Sequence, residues 1–251
     1  MSGHSKWATI KRAKGAADAK RGQIFTKLIK EITAAAKTGG GNPEGNPRLR
    51  VAISKAKEAN MPKDNIEKAV KRGTGELPGV IYEEVMYEGY APGGVAVLVE
   101  ALTDNKNRTT AEIRNIFTKQ GGNMAGAGSV AWIFHKKGYI LVDKTVVGEE
   151  KLMDLVITAG AEDMKVEETA YEITTSVKDF EAVKQALSTA AIPWKSADLT
   201  MLPSSTVPVK DQETAKKVLA FVEALEDHDD VNHAYANFDI PDSLLAAVAA
   251  G

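Results

Sequence analysis

Near its start the chain reads Gly3-His4-Ser5-Lys6-Trp7, an imidazole, a hydroxyl, an ammonium and an indole in five residues. Acid–base or nucleophilic work by such a group needs a carboxylate to orient His4 or a base to activate Ser5. The stretch has neither. Other candidates are equally thin. The glycine-rich segment 121–129 lacks the Gly-Lys-Ser/Thr of a phosphate loop and the strand order of a dinucleotide fingerprint, so it reads as a turning loop. His228 and His233 lie among Asp227, Asp229 and Asp230, all metal-ligand types. Their spacing is not a helical i, i+4 pair, and the stretch reads as a solvated acidic turn. Glu83, Glu84 and Glu88 fall on a strand, the last two sharing a face by period 2, and read as solvent-facing. No serine sits in G-x-S-x-G, and with no cysteine there is no thiol catalysis and no disulfide. The expectation is a non-enzymatic protein with no cofactor, no metal and no small-molecule substrate.

Charge carries a clearer signal. Residues 1–76 hold 12 Lys and 5 Arg against 7 acids, a net +10; the remaining 15 basic and 27 acidic residues give −12. A basic head on an acidic body marks a polyanion-binding end. His4, Lys6, Trp7, Lys11, Arg12, Lys14, Lys20 and Arg21 populate the first 22 residues. A basic arm of this kind neutralises phosphates as it orders on contact. Trp7 either stacks on an unpaired base or folds back on the following helices, and His4 is at best a phosphate donor. Asn105 and Arg108, at a strand-to-helix turn, could meet a phosphate or a partner, although ordinary N-capping of the turn is the plainer reading.

These residues need elements to position them. Residues 1–22 read as a flexible basic arm. Residues 23–76 read as a nucleic-acid-binding domain of three helices. The first has a stripe of Ile24, Phe25, Leu28, Ile29 and Ile32 and carries Lys27 and Lys30. The second opens on Asn46-Pro47, with Arg48/Lys55 and Arg50/Lys57 stacked seven apart. The third carries Lys71 and Arg72 and ends at Gly73. Beyond a Gly/Pro linker the period becomes that of strands. Residues 136–203 follow the order β-α-β-β-α-β, a ferredoxin-like unit. The flanks, 77–135 plus 204–251, supply a second sheet with two helices. The expected fold class is α+β with three domains: an N-terminal three-helix domain and two ferredoxin-like α/β modules, one inserted in the other. There is no run of 18 apolar residues and no apolar segment after Lys6 to make a secretory signal, so a cytoplasmic location is expected.

Longer motifs point further. GHSKW, AKRGQIFTKLIKEI, GGGNPEGNPRLR, NMPKDNIEKAVKRG, YEGYAPGGVA, DNKNRT and GSVAWIFHKKG run in colinear order through the chain. Together they resemble the YebC/PmpR family. The resemblance implies a cytoplasmic bacterial protein of three domains, the middle one discontinuous. It implies a DNA-binding transcriptional regulator, as the family is commonly labelled. It equally implies a translation factor that engages ribosomal RNA and tRNA near the peptidyl-transferase centre and relieves stalling at consecutive prolines, like the related mitochondrial translational activator of cytochrome c oxidase. Ribosomal proteins become possible partners on the same ground.

The residues themselves favour structured RNA over sequence-specific DNA. Exposed Arg and Lys position a protein on phosphates without reading bases, and no helix-turn-helix spacing is evident. Two readings of another class stand beside this: a small-molecule sensor using the ferredoxin-like domains, and a hydrolase built on Asp104 and Arg108.

Overall fold

Asn46 shows how side chains set the helices of the head. Its Oδ1 accepts from Leu49 N–H at 3.1 Å, and its Nδ2 donates to Ala35 O and Gly40 O at 2.8 and 2.9 Å. One buried amide thus starts the second helix and satisfies carbonyls at the end of the first. The structure, a computed structural model, describes residues 19–250. Helix α1 (Ala19–Gly39), α2 (Pro47–Glu58) and α3 (Lys63–Thr74) form the head. Residues 19–22, expected to end an arm, belong to α1. The core of the head is Phe25, Leu28, Ile29, Ile32, Leu49, Ala52, Ala56, Ile66 and Ala69. Ile24, counted in the apolar stripe, is half-exposed. Helix α3 is capped by Gly75 in the left-handed region (φ 83°), not by Gly73. Gly73 is instead the contact point between helices, where a Cβ would come within 2.4 Å of Thr33 O on α1.

The fold is α+β. The molecule divides into two compact units: residues up to Ala131 together with Thr206 onward, and Trp132–Ser205. In the first, β1 (Glu83–Ala91), β2 (Val95–Thr103), α4 (Lys106–Lys119) and β3 (Asn123–Ala125) follow the head. In the second come β4 (Phe134–Asp143), α5 (Glu149–Thr158), β5 (Ala161–Val166), β6 (Ala170–Thr175), α6 (Phe180–Thr189) and β7 (Ser196–Pro203). The first unit then resumes with β8 (Val207–Pro208), α7 (Gln212–Glu226), β9 (Val231–Ala236), β10 (Phe238–Asp239) and α8 (Asp242–Ala250).

Both four-stranded sheets share one layout. The second unit orders its strands β5-β6-β4-β7, all antiparallel, as a ferredoxin-like unit does. The first orders them β3-β1-β2-β9, also antiparallel. There β1 occupies the place of the third strand although it comes first in the chain. Alternation along β2 sends Val97, Val99 and Ala101 into a core with Ile113, Phe117, Phe221 and Val222. The last strand expected from the sequence is two, β9 and β10, separated by Asn237, whose Oδ1 accepts from Ala96 N–H at 2.7 Å. The pairing of β10 with β8, and helix α8, are not foreshadowed by any pattern in the sequence.

Candidate nucleic-acid interface

The cations of the head fall into two groups, and the division follows from α1 packing against the first unit's sheet. Lys30 is buried, against the expectation that it would meet phosphate. Its ammonium pairs with the buried carboxylate of Asp230 and also donates to Asp229 O at 3.0 Å. Asp230 accepts as well from Thr109 Oγ1 at 2.6 Å and Arg108 Nη2 at 2.7 Å. Burial alone would push this carboxyl up; Lys30, Thr109 and Arg108 together hold it well below its usual range. Arg108 also reaches Asp104 at 2.9 Å. Its guanidinium is therefore already between two carboxylates, which disfavours a role as an open phosphate contact. Asn105 caps α4, accepting from Arg108 N–H at 3.1 Å.

A second seam lies beside the first. Arg48 grips Glu31 through Nε (2.7 Å) and Nη2 (3.1 Å) and meets Glu84 through Nη1. Glu31 also accepts from Asn232 Nδ2 at 3.0 Å. Lys27 donates to Glu226 O, and Gln23 to Asp227 O at 3.3 Å. Three residues expected to hold phosphate (Lys27, Lys30 and Arg48) thus fasten the head to α7 and the sheet. Nothing in their spacing separated them from surface cations, because their partners lie up to 200 positions away in sequence.

The exposed cations form a different surface. Arg50 and Lys57, about two turns apart on α2, are exposed, as are Lys55 on α2 and Lys68, Lys71 and Arg72 on α3. Arg21 packs over the Phe25 ring, 5.6 Å from its centroid. His4, Lys6, Trp7, Lys11, Arg12 and Lys14 lie outside the described residues, and the same holds for the side chain of Lys20.

Two features are not legible in the sequence. Glu88 is buried, not solvent-facing: Oε1 accepts from Gly128 N–H at 2.7 Å, and Oε2 from Val130 and Ala131 N–H at 2.7 and 2.8 Å. Desolvation would raise its pKa, but these backbone donors outweigh it and lower it. The glycine-rich loop is therefore clamped by a carboxylate on the neighbouring strand. The second feature is His228. Its Nδ1 accepts from Asp230 N–H at 3.1 Å, so Nε2 carries the proton and donates to Glu112 at 2.9 Å. Glu112, His228 and Asp230 lie close enough to suggest a cation site. Lys30 and Arg108 already neutralise Asp230, however, and a further positive charge there is disfavoured.

With this geometry in place, the comparisons with known proteins are direct. Two family models match, the TACO1/YebC protein N-terminal domain over residues 5–76 and the TACO1/YebC second and third domain over residues 82–238. The chain belongs to the TACO1/YebC family. Relatives of this TACO1/YebC chain match nearly all of it. A "probable transcriptional regulatory protein" of Desulfotalea psychrophila is 56% identical over 249 residues, 99% of this chain and 100% of the relative. One of the same name from Dictyoglomus turgidum is 58% identical over 250 residues, again 99% and 100%. Among solved structures, a conserved hypothetical protein of Aquifex aeolicus is 52% identical, with a TM-score of 0.77 over 90% of this chain and 93% of that one. Among the described residues of this TACO1/YebC chain, no helix is long and apolar enough to cross a membrane.

Proposed function

We propose that the protein is a non-enzymatic, cytoplasmic regulator of gene expression that binds nucleic acid through its basic helical head. The observation that carries this is the exposed Arg and Lys surface of α2 and α3, which survives after the seam has consumed Lys27, Lys30 and Arg48. The relatives' printed names support a regulatory role. Such a surface contacts phosphates and fixes position without selecting sequence. Structured RNA is the better fit for it: its target is a shape, whereas an operator requires side chains aimed at base edges. The reading extends to action as a translation factor on the ribosome, with ribosomal RNA, tRNA and ribosomal proteins as partners, and relief of stalling at consecutive prolines as its outcome. Transcriptional control through duplex DNA is the competing role.

The deciding experiment sets co-sedimentation with ribosomes beside duplex DNA binding across a salt series. Ribosome association that exceeds duplex binding and weakens with salt supports the RNA reading. Binding to one promoter with base-substitution effects replaces it by transcriptional control. Absence of both at low salt removes the nucleic-acid reading altogether.

A further inference from the structure

A cleft of about 330 Å3 opens on the head between α1, α3 and the connector into β1. That is the lower end of the roughly 300–1,000 Å3 of small-ligand pockets, and it is enough for one base. Ile29 and Val80 give it apolar walls. Thr33 offers little polarity, since its hydroxyl is turned onto Ile29 O at 2.8 Å and Ala69 O at 3.2 Å. Tyr82 presents an aromatic ring, with the Lys30 ammonium over it 5.9 Å from the centroid, which leaves the other face for stacking. Among the described residues, Arg72, exposed on α3, is the one charged residue of the lining. Its place is fixed by the connector: a Cβ on Gly79 would come within 3.0–3.3 Å of the Arg72 stem. Lys68 and Lys71 stand on the same helix and are exposed.

We propose that this cleft receives one unpaired nucleobase beside Tyr82, with the adjoining phosphate on Arg72. Apolar walls, one ring and one cation suit a flat body carrying a single negative charge. A polyphosphate would meet only one cation against hydrocarbon. Bases in a duplex are paired and stacked, so only a single-stranded, bulged or terminal nucleotide can enter. The inference rests on the head being the nucleic-acid surface and sharpens it: the preferred target has an unpaired nucleotide next to a phosphate track.

The test uses the full-length protein, a single-stranded oligonucleotide carrying 2-aminopurine, and the same sequence in a duplex. Tyr82→Ala should weaken single-strand binding on the order of 10-fold and abolish the quenching of 2-aminopurine, as the loss of one base–aromatic stack does. Tyr82→Phe should retain both. Arg72→Gln should weaken single-strand binding several-fold and more than it weakens duplex binding, while duplex binding by both Tyr82 variants stays within twofold of the parent. Equal losses on duplex and single strand, or no loss on either, overturn the cleft as a base site while leaving the head as a binding surface. A parent protein that binds neither form at low salt overturns both. Should Tyr82→Ala fail to fold, Tyr82→Leu, which keeps apolar volume and removes the ring, decides the same question through quenching on the single strand and unchanged duplex binding.

Discussion

Deleting the Asp230 carboxylate leaves Lys30 buried without its counter-charge and strips Thr109 and Arg108 of an acceptor. Asp230→Ala should therefore lower the unfolding free energy by about 3–5 kcal/mol, the cost of breaking a buried pair from one side. Urea denaturation measures this. The apolar double replacement Lys30→Met with Asp230→Leu should cost less than the single one, because no charge is stranded. A depressed carboxyl also fixes a sign for pH. The stabilisation by Asp230 is complete above its ordinary value near ~4 and drains away as pH falls towards its lower folded value. A melting series from pH 6 to 2.5 should show that loss in the parent and a shallower one in the double variant. Glu88 follows the same logic. Glu88→Gln turns one acceptor oxygen into an amide donor facing a backbone N–H, which should cost about 1–3 kcal/mol in the same denaturation assay. Its burial is hidden from the sequence because period 2 assigns a residue to a face of a strand but does not say what covers that face.

Elements were more legible than the contacts between them. Asn46-Pro47 announces α2, and its cap is made as the residue types demand. The β-α-β-β-α-β order of the second unit is legible from periodicity, because periods of 2 and 3.6 are local signals that do not depend on which strands pair; β4 in fact pairs with the distant β7. The missed elements, β8 and α8, are short or weakly patterned and form only against the rest of the first unit. Gly73 tests the packing between elements. Within a helix, Gly→Ala normally gains up to about 1 kcal/mol in propensity. Here a methyl group would strike Thr33 O and Ala36 Cβ, so Gly73→Ala should instead destabilise by about 1–3 kcal/mol. A higher melting temperature for that variant would refute the close approach of α1 and α3.

Over the whole molecule, charge is segregated into a head of +10 and a remainder of −12. If the open face binds phosphate, Arg50→Gln with Lys57→Gln should reduce the slope of log affinity against log salt by about 2. Lys30→Met should leave that slope unchanged, since a buried ammonium releases no counterions on binding. Titrations between low and moderate salt separate the two outcomes. The sequence by itself determined the basic head, the absence of thiol chemistry and the helix and strand order outside β8 and α8, because these depend on residue types and on periods of 3.6 and 2. Which cations remained available was decided only by the tertiary structure. Lys30 and Lys57 are indistinguishable as letters on amphipathic helices, but chain folding brings Asp230 to one of them, and a charge buried beside its counter-ion cannot also meet a phosphate.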